Sequence, residues 1–202
     1  MSERRISLTD FVDFVTRAGM PKLTKVKQLK HRGEYHPYAD FYRAMREAVI
    51  AAHRDDRGKA SIGPLALHAV GLDRRVHHYD ALIAGYVGWW GRRQLEWFAP
   101  PQRVRAFDGF DLRINPELGL RIDSEPHVIK LYFKEPALSK RYAEVVACVM
   151  HEAFPPPAEG PAPAMAILDV RRRRLHRLAP RPELSALVAG ELAALTAMWA
   201  RV

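Results

Sequence analysis

Between Val104 and Lys134 the chain alternates apolar and polar residues in three runs separated by turn-forming residues. This constrains the fold more than any other feature, because a two-residue period matches a half-buried strand and not a helix. Asp108-Gly109, between Phe107 and Phe110, signals a hairpin: a type I′ turn needs positive φ at both central residues. Asn115-Pro116-Glu117 and Ser124-Glu125-Pro126-His127 read as the next two turns. Asp111–Ile114, Leu118–Asp123 and Val128–Lys134 then form three consecutive antiparallel strands.

Alternation gives this sheet two chemically different faces. Leu112, Ile114, Leu118, Leu120, Ile122, Ile129, Leu131 and Phe133 form an apolar face, expected to lie buried with Val146 and Leu168 near it. Asp111, Arg113, Arg121, Asp123, Lys130, Tyr132 and Lys134 form the other. A three-residue second turn sets Asp111 opposite Arg121 and Arg113 opposite Gly119. A four-residue third turn pairs Asp123 with Val128, Arg121 with Lys130, Gly119 with Tyr132 and Glu117 with Lys134. Glu117, Tyr132 and Lys134 therefore gather at one end of the polar face.

Downstream, Ser139 reads as the N-cap of a helix carrying Tyr142, Val145, Val146, Val149, Met150 and Phe154. A proline-rich loop, 155–163, ends it. Ala164–Val170 is apolar enough for a buried strand. A last helix opens at Pro182-Glu183, with Leu184, Leu187, Val188, Leu192, Leu195 and Trp199 as its stripe. Upstream, residues 1–99 read as helical. A short helix capped by Ser7 or Thr9 stops at Gly19-Met20-Pro21. A second runs from Tyr38 to His53, a short apolar piece from Pro64 to Val70 ends at Gly71, and a long helix runs from Asp73 to Trp97. In the last, Ala81, Gly85 and Gly88 make a thin face suited to close approach of another backbone. Pro100-Pro101 is the expected joint between this helical region and residues 100–202. The fold class is α+β: a helical N-terminal half packed on a three- to five-stranded mixed sheet with flanking helices.

Helix, three antiparallel strands, helix and strand is an element order that resembles the αβββαβ core of the PD-(D/E)XK nuclease-like superfamily. Pro116-Glu117 sits at the turn before the middle strand, where the family has Pro-Asp. Tyr132-Phe133-Lys134 sits on the third strand, where the family has Glu-x-Lys. The resemblance covers roughly the second half of the chain. It implies Glu117, Tyr132 and Lys134 as catalytic positions, and a divalent metal, Mg²⁺ or Mn²⁺, held by Glu117 with Asp111 or Asp123 if the site is active. Hard cations of this kind take oxygen ligands, commonly carboxylates, and Tyr132 puts a neutral phenol in the second carboxylate slot. A degenerate, weakly catalytic or non-catalytic scaffold is the leading expectation. An active metal-dependent nuclease using Glu117 and Lys134 is the alternative.

Charge points towards polyanions. The 202 residues carry a net charge of +9 at pH 7, and basic patches suit nucleic acid. Lys22, Lys25, Lys27, Lys30 and Arg32 fall in one segment with only Glu34 as a nearby counterweight, so this segment is expected to be solvent-exposed. Arg171, Arg172, Arg173, Arg174 and Arg177 form a second cluster at a tight turn. Trp89 with Arg92 and Arg93 could stack on a base and hold phosphate, although aromatic residues at helical spacing are more often core. DNA or RNA is the expected partner. An acidic protein partner, which would make the chain a non-catalytic interaction module, and a homo-oligomer remain open.

Other chemistries lack their residues. Cys148 is the one cysteine, which excludes intrachain disulfides and cysteine metal clusters. His151-Glu152 has no second histidine at zincin spacing, and His77 and His78 are adjacent on a helix and diverge. Phosphate loops, dinucleotide fingerprints and nucleophile elbows are absent from the sequence. With no signal peptide and no expected membrane span, cytoplasmic residence is the default expectation.

Overall fold

The computed structural model describes residues 4–33, 40–70, 76–107, 109–158, 160–179 and 181–202. The expected roles of Glu34, Tyr38, Gly71, Asp73 and Asp108 lie outside these residues, as does the side chain of His77. The chain order is β1 (Arg4–Ser7), α1 (Leu8–Val15), α2 (Gly19–Lys30), α3 (Arg43–Arg54), α4 (Ile62–Val70), α5 (Val76–Trp90), β2 (Leu95–Phe98), β3 (Arg103–Phe107), β4 (Phe110–Ile114), β5 (Leu118–Ile122), β6 (Glu125–Tyr132), α6 (Lys140–Ala153), β7 (Ala164–Asp169), β8 (Arg174–Arg177) and α7 (Pro182–Arg201). The fold is α+β, with two mixed sheets ordered β1-β4-β3 and β2-β5-β6-β7-β8.

The expected meander is present but begins with a different strand. β4 and β5 do not pair. β4 lies between β1, which is parallel to it, and β3, which is antiparallel, with Phe107 opposite Phe110. β5 lies between β2 and β6. The three antiparallel strands of the larger sheet are therefore β2, β5 and β6, and β3–β4 is a hairpin inserted among them. Two strands, β1 and β2, come from the region expected to be wholly helical, so Pro100-Pro101 does not divide a helical half from a sheet half. The helix expected to reach Trp97 ends at Trp90. Gly91, with φ +54°, closes it, and the chain re-enters as β2.

The β5–β6 turn is two residues long, not four. Asp123 and Ser124 carry φ of +49° and +75°. Gln94 holds the turn: the Asp123 N–H donates to the Gln94 carbonyl at 3.1 Å, and Oδ1 of Asp123 accepts the Gln94 N–H at 3.3 Å. Arg121 consequently faces Pro126 rather than Lys130. Pro126 is tolerated because β7 begins pairing only at His127. The slip is an even number of residues, so every side chain keeps its face.

Both faces of the larger sheet are covered. Leu118, Leu120, Ile122, Ile129, Leu131, Phe133 and Leu168 pack under α3, α4 and α5 with Met45, Tyr79, Tyr86 and Trp89. Val128, Tyr132, Met165 and Ile167 face α6, in a second core that also holds α1, α7, Leu112, Ile114 and Val146. The residues expected to share one core thus divide between two. The face of β6 expected to be polar and solvated is buried, Lys130 included, at 1% exposure.

Local chemistry explains the helix boundaries. Ser7 caps α1 through a capping box: its hydroxyl accepts the Asp10 N–H at 3.2 Å, and the Asp10 carboxylate accepts the Ser7 N–H at 3.0 Å. Gly19, with φ +55°, does not merely stop α1; it turns the chain into α2, with Pro21 in the first turn. Ser139 caps α6 and Pro182 opens α7, as expected. On α7, Leu184, Val188, Leu192, Leu195 and Trp199 are buried, but Leu187 is exposed. Contrary to expectation, α7 is long and apolar enough to cross a membrane by length and composition, a test that core helices of soluble proteins also pass.

The thin face of α5 receives the backbone anticipated for it. A Cβ on Gly85 would overlap the Val170 carbonyl oxygen, and one on Gly88 would sit 2.6 Å from Cζ of Arg173. Gly85→Ala gains about 1 kcal/mol of helix propensity and loses roughly 1–3 kcal/mol to backbone overlap, so it should be net destabilising. Gly190→Ala on α7, where nothing lies within 4 Å of the new Cβ, should stabilise by about 1 kcal/mol. Urea unfolding of the two variants checks the opposite signs.

His53 is buried between Trp90, stacked on it at 4.1 Å, and the Tyr86 hydroxyl, 2.8 Å from Nε2. Burial lowers its pKa to about 4 and pushes the Tyr86 phenol well above its usual value. The folded value lies below the unfolded value of 6.5. The neutral ring's contribution is therefore complete above pH 6.5 and is lost as pH falls towards 4. Between pH 7 and 5 this group alone should remove about 2 kcal/mol of stability. Urea titrations at the two pH values should show a loss that shrinks in His53→Gln.

Candidate functional site

β5 starts and β6 ends at the same edge of the larger sheet, and that edge collects the charged groups. Extending the β5–β6 ladder one step beyond Leu118–Ile129 sets Glu117 opposite Lys130, not Lys134. The lysine that meets Glu117 is Lys130, whose Nζ donates to Oε1 in a buried pair. The Leu131 N–H donates to Oε2 at 2.8 Å, and Nε of Arg46 on α3 lies 3.3 Å from Oε1. Arg46 also reaches Asp40 at 2.7 Å. Burial lowers the pKa of Lys130, and the Glu117 charge and hydrogen bond oppose that shift.

The other two expected catalytic residues are engaged elsewhere. Lys134 pairs with Asp13 of α1. Tyr132 donates its hydroxyl to the Pro136 carbonyl at 2.8 Å, and its pKa is pushed up to about 12, chiefly by burial, with Asp169 and Asp13 adding to it. Asp13 also meets Lys25 at 3.3 Å. The crevice among these groups, walled by Thr9, Val12, Tyr42 and Arg46, holds about 20 Å³, close to the volume one water needs. Each carboxylate at this edge already faces a cation or a backbone N–H, so the cluster works as an ion-pair network within the core.

The carboxylates expected to hold a metal do not converge. Asp111 lies in the other sheet beside Arg5, at 3.7 Å. Asp123 is in the turn at the far end of β5, about 20 Å from Glu117 at strand rise. Among the described residues no group of three or more His, Cys, Asp or Glu is placed to bind a metal ion. Cys148 is buried, which pushes its thiol pKa up.

The lysine segment is not the exposed run expected from sequence. It forms α2, and most of its cations are neutralised by acids remote in sequence. Lys22 pairs with Glu191 at 2.5 Å. Lys25 lies between Asp10 and Asp13, and Arg32 binds Asp10 at 2.6 Å. Lys30 donates to the Trp199 carbonyl at 2.7 Å. Burial acts to raise the Asp10 pKa, but hydrogen bonds from Arg32 and Ser7 and the charge of Lys25 hold it below the usual carboxylate value. Lys27 remains exposed. Asp10 was within reach of sequence, since Ser7-Leu8-Thr9-Asp10 is a capping-box pattern. Its pairing with Lys25 and Arg32 has no sequence signal.

Trp89 is 2% exposed in the α3–α5 core and is not available to stack on a base; Arg93 lies over its ring at 5.6 Å. Arg171 and Arg172 are partly spent on structure: Arg171 donates to the Phe133 carbonyl at 2.8 Å, and Arg172 to that of Glu135 at 2.5 Å. Arg92, Arg93, Arg173 and Arg174 are exposed and form no ion pair among the described residues. Arg173 packs against Gly88, so the second arginine cluster lies against α5 near its C-terminal end, which Gly91 closes just before Arg92 and Arg93.

Compared with known proteins, the chain matches no family model and no curated protein.

The Glu117–Lys130 pair makes a measurable prediction. Glu117→Gln leaves an ammonium buried without its counter-charge and should lower stability by roughly 3–5 kcal/mol. Adding Lys130→Met removes the stranded charge at similar volume and should recover most of the loss. Equal instability of the single and double variants in urea would contradict this account.

Proposed function

We propose that this chain is a nucleic-acid-associated protein on a nuclease-like scaffold, in which the end of the sheet that would hold a catalytic metal is a structural ion-pair network. The order α5-β2-β5-β6-α6-β7 follows the helix, three antiparallel strands, helix and strand of the PD-(D/E)XK resemblance once β3–β4 is taken as an insertion. The observation that carries the reading is the exposure of Arg92, Arg93, Arg173 and Arg174 without carboxylate partners among the described residues, with Arg173 against α5 at Gly88, near the helix end that Arg92 and Arg93 follow. Guanidinium groups suit phosphate, with their fork of donors and fixed charge. With Trp89 buried, this surface has phosphate-binding groups but no tryptophan to stack on bases. Contacts of that kind position a backbone without reading sequence.

Binding should therefore be indifferent to sequence and sensitive to salt. The log–log slope of affinity against salt should be about −0.7 to −0.9 per phosphate contact. Anisotropy titrations with 20-nucleotide single- and double-stranded DNA and RNA measure it. Changing Arg92, Arg93, Arg173 and Arg174 to Gln should weaken binding and flatten the slope by roughly 3. No salt-dependent binding of any of these probes, or binding untouched by the four changes, would refute the proposal.

A further inference from the structure

α2 divides its cations between two sides. Those facing the body of the protein, Lys22, Lys25 and Lys30, are engaged by Glu191, by Asp10 and Asp13, and by the Trp199 carbonyl. On the outer side Met20, Leu23, Thr24, Lys27 and His31 follow one another at helical spacing along one stripe. With Arg201 and Val202 at the end of α7 they line an open groove of about 560 Å³, within the usual range for a binding cleft. The groove is graded. Met20, 71% exposed, and Leu23 make its apolar end, and Lys27, His31 and Arg201 make its basic end. Lys27 and Arg201 have no carboxylate partner among the described residues. Each helix C-terminus here offsets only roughly half a charge.

We propose that this groove is a docking site for an acidic amphipathic helix of a protein partner, with its apolar residues against Met20 and Leu23 and its carboxylates against Lys27 and Arg201. The charge excess at one end, with exposed Met20 and half-buried Leu23 at the other, calls for an occupant that is both acidic and apolar along one face. Exposed methionine adapts to such a surface, and a helix laid in a groove presents anchors at the spacing this stripe offers. Nucleic acid fits less well, because a phosphate backbone would engage the basic end and leave Met20 and Leu23 without an apolar partner.

The test uses the whole chain and a fluorescein-labelled 18-residue peptide. The peptide carries Leu at one helical face, Glu clustered towards one end and net negative charge. A scrambled peptide of the same composition, a 20-nucleotide single-stranded DNA and phosphatidylglycerol vesicles serve as competing probes. The amphipathic peptide should bind, and the scrambled peptide should bind at least tenfold more weakly. Lys27→Glu with Arg201→Glu should weaken the amphipathic peptide by roughly tenfold or more through like-charge contact, and Met20→Asp should weaken it separately. All three residues border solvent, so thermal unfolding should confirm an intact fold. Absence of peptide binding overturns the proposal. So does peptide binding indifferent to the charge reversals, or to peptide order. DNA or vesicle binding that these substitutions abolish, without peptide binding, assigns the groove to those occupants and also overturns it. Retained DNA binding in the variants keeps this site distinct from the arginine surface.

Discussion

The buried pair of Glu117 and Lys130 is the constraint around which the larger sheet is arranged. An ammonium at 1% exposure is tolerable only beside a counter-charge. Glu117 supplies that charge from the residue before β5, and it also accepts the Leu131 N–H of the neighbouring strand. One carboxylate thus joins β5 to β6, and through Arg46 it reaches α3. Such a pair adds little net stability compared with an apolar substitute, but it punishes misregistration: any slip of β5 against β6 that keeps the faces would still separate the two charges. Hydrophobic patterning alone chooses the faces of these strands, and the ion pair chooses among the even registers that patterning leaves equivalent.

The same logic organises the edge around it. Lys134 with Asp13, Lys25 with Asp10 and Asp13, and Arg32 with Asp10 tie α1 and α2 to the end of β6. The high positive charge of the chain is therefore sorted by position. Among the described residues, cations facing the core are matched by acids or carbonyls, and cations without an ion pair lie on the surface, among them Arg92, Arg93, Arg173 and Arg174 and Lys27 on the outer stripe of α2.

Sequence periodicity carried the elements well where the signals are local. The hairpin closing between Phe107 and Phe110, the Ser139 and Ser7 caps, the buried strand at Ala164 and the Pro182 helix start all rest on interactions spanning a few residues. It failed where partners are distant. Nothing near Arg4–Ser7 or Leu95–Phe98 announces a strand, because each is four residues long and is specified by the neighbour it pairs with. Those two strands filled the edges that β4 and β5 would have offered each other. The site was legible as a gathering of Glu117, Tyr132 and Lys134 at one end of the sheet, but their partners were misassigned. The turn at Asp123-Ser124 uses two non-glycine residues at positive φ, which pattern alone does not reveal. The lysine segment went wrong for a related reason: exposure depends on what a fold places opposite a residue, whereas Trp89 followed the commoner course of an aromatic at helical spacing and is core.

The parallel pairing of β1 with β4 has a kinetic side. The Leu8 N–H donates to Asn115, 107 residues further along the chain, at 3.4 Å. While the chain is being synthesised, β1 has no strand to join until β4 has emerged, and α1, at eight residues, is too short to persist alone. Closing so long a loop is slow compared with forming a hairpin. β1 and α1 are thus among the last elements to dock, and until then the acids of α1 that neutralise Lys25, Arg32 and Lys134 are not in place. The nascent protein passes through a stage more basic on its surface than the finished one, with Phe11 and Phe14 still looking for the core they will enter.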